Sequence, residues 1–300
     1  AACYNSMEVA KILIEEGADV NEKAYGKTAL LWALRTGSER TALLLIEKGA
    51  DIFAKSEHTE YSFLNHEDGN SALHFASAQN LKNVVVLLVE RGLDVNYKNS
   101  NGSTPLHVAN SELVSLLVEN GSNVNEKNNQ GVTRLHRDAW DGKWDVVNYL
   151  LNNKASIDAI SNEGETPLMY AIEEGEFKTV KLLLNKGANC NLKNIKGLSP
   201  LMIMVESYNV SSENSEDFLL EYFEENQTDF YQDLDEIVSI LVHNTKEENA
   251  VFNNYKEENE YSRNLPVLIR AIFNEYEVLA NLLIKNGIST SLTMPYNATT

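Results

Sequence analysis

The sequence predicts an all-α repeat solenoid: stacked helix-turn-helix units joined by β-hairpin-like loops, about eight units counting partial or degenerate ends. Three observations predict it. Glycines at Gly69, Gly102, Gly131, Gly164 and Gly197 recur with steps of 33, 29, 33 and 33 residues. Each opens a related phrase: GNSALHFA, GSTPLHVA, GVTRLHRDA, GETPLMYA and GLSPLMIM, with GKTALLWA opened by Gly26, 43 residues before Gly69. A second phrase follows in register: VVVLLVERGLDVN, LVSLLVENGSNVN, VVNYLLNNKASID and TVKLLLNKGANCN.

Taken in chain order, each phrase has a physical role. Thr104-Pro105 and Thr166-Pro167 supply an N-cap hydroxyl followed by proline at the first helical position, where its missing N–H costs nothing. Leu106 and Ala109 then share one face of a short first helix, and the alanine admits a close neighbour. Leu87-Leu88, Leu116-Leu117, Leu150-Leu151 and Leu183-Leu184 give the second helix its buried stripe. Gly92, Gly121 and Gly187 end that helix, where a left-handed residue is needed. Asp94-Val95-Asn96 and Asn123-Val124-Asn125 are turn chemistry leading to the next glycine. No unit can bury its apolar face alone, so stability must come from stacking on neighbours.

These phrases resemble the ankyrin repeat family, whose pattern is roughly G-x-T-P-L-H-x-A followed by V-x-x-L-L-x-x-G-A-x-x-N. The resemblance covers nearly the whole chain. It divides the array into a partial repeat at 1–25, a repeat at 26–68 carrying a loop insertion at 56–65, a repeat at 69–101 and a shortened one at 102–130. A divergent repeat at 131–163 and a regular one at 164–196 follow. The next, at 197–260, is split by an acidic insertion at about 209–233; a degenerate repeat at 261–296 follows, and 297–300 falls where another would start. The chain begins inside one unit, so an excerpt from a longer array is expected.

Departures from the repeat carry more information than matches, because folding explains the matches. The insertion Ser56–Asn65, with Phe53, Tyr61 and Phe63 in or beside it, reads as a tolerated surface loop or as a recognition finger. The 29-residue step loses four residues around Asn110-Ser111 and predicts a shortened helix pair. The repeat at Gly131 has Arg134 for the usual proline, Asp138 for alanine and Lys154 for the closing glycine. It also carries Trp140 and Trp144; we expect Trp140 on the concave face and Trp144 packed. The unit opened by Gly197 is split between a first helix over Leu201–Tyr208 and a second over Leu234–Asn244. Ser211–Glu260 holds 15 acidic and 2 basic residues, a net −13 of the chain's −19. Its Phe218 and Tyr222 recur at helical spacing with an acidic outer face, either a solvated insertion helix or a docking element for a basic partner. Leu265–Gly287 returns to the repeat pattern.

The same composition limits function. A net charge of −19 argues against a phosphate-backbone partner, which needs clustered Lys and Arg, so no nucleic acid is expected. No apolar run is long enough to insert in a membrane. Cys3 and Cys190 form no disulfide framework or zinc site, which fits a reducing, cytoplasmic compartment. His74, His107 and His136 fall at one position of successive repeats, roughly 10 Å apart by helix packing. One zinc ion needs its nitrogens at about 2 Å, so these histidines are expected instead to bond the adjoining loops. Neither GxxxxGK[ST], GxSxG nor HExxH occurs. Catalytic residues, cofactor and metal are all expected to be none.

The resemblance implies a non-catalytic interaction scaffold that binds a protein through its concave face, formed by first helices and hairpin tips. In that register the face carries Arg35, Gln79, Trp140, Asp141, Glu173, Glu174 and Glu206. The tips carry Tyr25, Lys27, Asp68, Asn70, Asn101, Gln130, Glu163, Glu165 and Leu198. The face turns acidic toward its C-terminal half, so the expected partner presents a basic or mixed surface, anchored by Trp140. The insertions add Tyr61, Phe63, Phe218 and Tyr222 as contacts. The alternative is a recognition segment of a larger enzyme, toxin or secreted effector, acting in host cytosol in the last case, with its active domain outside this chain.

Overall fold

Thr28 shows how a repeat begins: with its own backbone extended, its hydroxyl accepts the N–H of Leu31 at 3.4 Å and starts a helix. Thr166 does the same for Met169 at 3.3 Å, with Pro167 as the first helical residue. The computed structural model describes residues 6–58, 68–210, 232–244, 271 and 277–288. The helices are α1 (Met7–Glu15), α2 (Ala29–Arg35), α3 (Glu39–Glu47), α4 (Ala72–Ala78), α5 (Lys82–Glu90), α6 (Pro105–Val108) and α7 (Val114–Glu119). Then come α8 (Arg134–Trp140), α9 (Trp144–Asn152), α10 (Pro167–Glu173), α11 (Phe177–Asn185) and α12 (Pro200–Val210). Residues 232–244 are helical, as is Glu277–Lys285. The expected all-α repeat solenoid is therefore what folds, with the short strands Lys23–Ala24 and Lys27–Thr28 paired antiparallel in one hairpin.

The described residues fall into two compact units, 1–134 with 149–155, and 135–148 with 156–300. In the first, α2 packs on α3 and α4, and α4 on α5 and α6. Leu30, Leu31, Leu34, Leu73, Leu88, Leu106 and Leu117 are fully buried there. Each such leucine contributes about 2 kcal/mol of burial, and most of it only once a neighbour is present. In the second unit α10 packs on α11 and α12 over Leu168, Leu183 and Leu201. Lys181 of α11 reaches Asp233 at 2.8 Å and Glu236 at 2.6 Å, and Lys285 reaches Asp235 at 2.5 Å. The helix at 232–244 thus sits beside α11 on one side and Glu277–Lys285 on the other, as a second helix should.

The histidines bond the adjoining loops as expected. Nε2–H of His74 donates to the Ser103 carbonyl at 2.8 Å, while Nδ1 accepts from Ser71 N–H at 3.3 Å and its hydroxyl at 2.9 Å. His107 repeats the arrangement with Val132 at 3.2 Å and Thr104 at 3.1 and 2.9 Å. In the second unit His136 joins Glu165 at 3.1 Å. One imidazole therefore completes a capping box in its own repeat and closes the hairpin of the next.

The divergent repeat solves a problem that its neighbour creates. In the shortened repeat, α6 is one turn, followed by a 3-10 turn at Ser111–Leu113. The carbonyls that a longer helix would pair internally are met by Arg134, buried to 2% exposure, whose Nη1 donates to Leu106 at 2.8 Å and Ala109 at 2.6 Å. Arg134→Met should cost about 2 kcal/mol by leaving a buried carbonyl unpaired, read as a lower urea midpoint. Lys154 stands where other repeats place glycine and holds φ at +68°. Lys154→Gly should raise stability by about 1 kcal/mol in the same assay, since a side chain is strained in that region.

Burial holds the His74 imidazole at a pKa of about 4, against 6.5 for a free one, and the contact to Ser103 only partly opposes this. Between these values the unfolded chain binds the proton and the folded chain does not. Stability from this group is complete above about pH 6.5 and falls as pH drops toward 4, by up to about 3 kcal/mol. His74→Gln should flatten that part of the stability–pH curve, which chemical denaturation between pH 7 and 4 would check.

Candidate functional site

Two positions define the face on which the first helices present side chains. Nine residues after Gly26, Gly69, Gly131, Gly164 and Gly197 stand Arg35, Ala78, Trp140, Glu173 and Glu206; one later stand Thr36, Gln79, Asp141, Glu174 and Ser207. They fall at or just beyond the ends of α2, α4, α8, α10 and within α12, where the apolar stripe has passed and the chain turns. Gln79, Trp140, Asp141, Glu173 and Glu174 are exposed, and Arg35 and Glu206 half-buried.

In the first unit this position belongs to an aromatic–cation cluster. Trp32 donates its indole N–H to the Ala24 carbonyl at 2.9 Å and lies beneath Lys27 at 5.1 Å and Arg35 at 5.4 Å. Tyr25, 68% exposed with φ at +51°, stands at the tip of the same hairpin. Reading the sequence missed Trp32, because an aromatic six residues after the glycine looks like core; the cations at Lys27 and Arg35 were the available signal. Lys55, 3.9 Å over the Tyr97 ring, went unnoticed in the same way.

The second unit presents the opposite charge. Tyr170, half-buried, packs edge-on to His136 at 5.2 Å and to Trp140 at 5.7 Å with 71° between planes. Burial, then Glu165, raises the Tyr170 hydroxyl, with Glu173 and Glu163 adding to it. Burial and then the Glu173 charge raise the Glu165 carboxyl, against smaller opposing effects of Asn194 and Lys196. Glu174 is raised by burial and by Glu176, and Glu176 by burial, Lys143 opposing and Asp141 adding. Arg137 offsets Asp141, its Nε 3.6 Å from that carboxylate on α8. The carboxylates here crowd one another around exposed aromatic surface.

Several expected contacts are placed differently. Asn70 is buried at 7% exposure, accepting from Asn99 Nδ2 at 2.7 Å, and so ties two hairpins together. Lys27 and Leu198 are buried at 5% each, one against Trp32 and one within its own hairpin. Trp144, expected to pack, is 51% exposed at the start of α9. Asp68, Asn101 and Glu165 are half-buried, whereas Gln130 and Glu163 are open to solvent. Tyr61, Phe63, Phe218 and Tyr222 lie outside the described residues. Beside the first insertion is an open cleft of about 640 Å³, bordered by Lys23, Phe53, Glu57 and His58, where His58 meets Asp68 at 3.0 Å. Among the described residues no group of three or more His, Cys, Asp or Glu is placed to hold a metal, and no helix is long and apolar enough to cross a membrane.

The family model for ankyrin repeats (3 copies) matches residues 1–56, 57–128, 108–194 and 135–231. The chain belongs to the ankyrin repeat family. The B-cell lymphoma 3 protein homolog of Mus musculus is 36% identical over 109 residues, 36% of this chain and 22% of that protein. The B-cell lymphoma 3 protein of Homo sapiens is 33% identical over 143 residues, 38% of this chain and 32% of its own length. The chain thus spans less than a third of these curated relatives. Among solved structures, the human ASB11 ankyrin repeat domain superposes with a TM-score of 0.58 at 26% identity, covering 68% of this chain and 89% of that one. Ankyrin repeats are in general protein–protein interaction modules. In this ankyrin chain the positions free to vary are therefore those after the opening glycine that neither the core nor the hairpin bonds consume.

Proposed function

We propose that the chain is a non-catalytic scaffold that binds a protein partner through its first-helix ends and hairpin tips, with the acidic aromatic surface of the second unit as principal contact. The observation that supports this most is the packing of Trp140 on Tyr170 beside Glu165, where burial and then neighbouring carboxylates disfavour the charged forms of Glu165 and Tyr170. A partner cation at that surface would relieve the repulsion and gain aromatic contact together. The partner therefore presents a basic or mixed surface. The net charge of −19 also favours encounter with such a partner at low salt.

A second reading has the chain as the recognition part of a larger enzyme, toxin or effector. It draws on the length of the relatives, of which the chain matches 22% and 32%. Sequencing the full gene on both sides decides it: flanking ankyrin repeats alone would count against it.

The binding face is tested by capture from lysate followed by affinity measurement on the recovered partner. Trp140→Ala should weaken binding by about 2 kcal/mol, as a central aromatic contact does. Glu173→Lys with Glu174→Lys should weaken it further and flatten its salt dependence. Unchanged affinity in all three positions would place the partner on another face.

A further inference from the structure

We propose that the corner formed by Trp140 and Tyr170, between the carboxylates of Glu165 and Glu173, receives an arginine side chain of the protein partner. This rests on the binding reading above and names the chemistry of its central contact.

The argument starts from a comparison that the chain makes with itself. Lys27, Trp32 and Arg35 stand one, six and nine residues after Gly26; Glu165, Tyr170 and Glu173 stand at the same three positions after Gly164. In the first set the ring lies beneath both cations, at 5.1 and 5.4 Å. In the second set the ring is kept and both cations are replaced by carboxylates. The repeat geometry that brings two side chains over Trp32 brings two carboxylates to the border of Tyr170, and both act on the Tyr170 hydroxyl. Trp140, nine residues after Gly131, closes the corner from the preceding repeat at 5.7 Å and stays 39% exposed. Cations lie over the rings of Trp32 and Tyr97. Lys196 acts on Glu165 from the next hairpin, and Arg137 pairs with Asp141.

A cation supplied from outside completes the second set as Lys27 and Arg35 complete the first. Aromatic faces attract cations, and carboxylates beside them add charge-assisted hydrogen bonds. A guanidinium suits both at once, because its plane stacks on a ring while its N–H fork spans two acceptors, and it is more weakly hydrated than an ammonium. Lysine offers one strongly hydrated point charge and uses only part of the corner.

The test is a titration of the full chain, followed by the three tryptophan indole N–H signals in nuclear magnetic resonance, with acetyl-Gly-Arg-Gly-amide and its lysine and citrulline counterparts. Trp140→Phe assigns the Trp140 signal. The arginine peptide should shift that signal and leave those of Trp32 and Trp144 in place. Citrulline, of the same shape without charge, should not shift it, and lysine should bind more weakly. Glu165→Gln with Glu173→Gln should weaken the arginine response about tenfold, with an unchanged thermal melt showing that the fold is intact. A citrulline shift equal to that of arginine, a lysine peptide binding equally well, or a response indifferent to the double substitution would each overturn the assignment. So would a Trp140 signal that does not move. The two readings fail separately. A captured partner sensitive to Trp140→Ala with a silent arginine peptide sinks the arginine corner alone, whereas a partner indifferent to Trp140→Ala sinks the binding face as well.

Discussion

A hairpin carbonyl already bonded within its own loop, as Ser103 is to the Asn99 N–H at 2.9 Å, keeps a second lone pair that calls for a donor from the neighbouring repeat. The array is organised around meeting that demand. His74 and His107 reach forward 29 and 25 residues to Ser103 and Val132, and His136 reaches Glu165. On the opposite side of the repeat, Asn96, Asn125 and Asn191 donate to the carbonyls of Gly121, Lys154 and Asn244 at 3.0 Å each. Each bond forms only when the neighbouring repeat is in place. Cooperativity between repeats thus comes from directional bonds as well as from the leucine stripes, and the bonds fix the register that apolar packing alone would leave loose.

The same bonds show what an insertion disturbs. Asn125 and its carbonyl partner are 29 residues apart, whereas Asn191 and Asn244 are 53 apart. The rung is made all the same across the longer separation. Closing a longer loop costs little, because the entropy grows only with the logarithm of its length. The two helices of the split unit, Leu201–Tyr208 and Leu234–Asn244, therefore keep the repeat pattern in sequence.

Much of the fold was legible because each repeat is written several times. Glycine spacing gave the units, Thr-Pro gave the helix starts, and the histidine row gave the bonds to the hairpins. What could not be read depends on which atoms meet between repeats. Arg134 looked like a lost proline, and the sequence held no sign that its guanidinium replaces the helical partners missing from a shortened α6. Asn70 looked like a tip residue, but a 2.7 Å bond to Asn99 draws it inward. Trp144 is the residue type that usually buries, yet it opens α9 where the helix faces solvent. The positions of the first-helix ends were visible from the pattern. Tyr170 was not named, since six residues after the glycine the repeat as often places core.

That position shows how one repeat framework varies its surface chemistry. The residue six after the glycine is Trp32 in one repeat and Tyr170 in another, and its ring is anchored from beneath by the hairpin or by His136. The residues one and nine after the glycine flank it and differ in charge: Lys27 and Arg35 in one repeat, Glu165 and Glu173 in the other. This change of charge lies outside the leucine stripes. It inverts what the ring can attract, because an aromatic already covered by cations has little left for an incoming one, and an aromatic bordered by carboxylates has much. Position is thus set by the repeat and charge by single residues, which lets different repeats of one array present opposite chemistry at equivalent places.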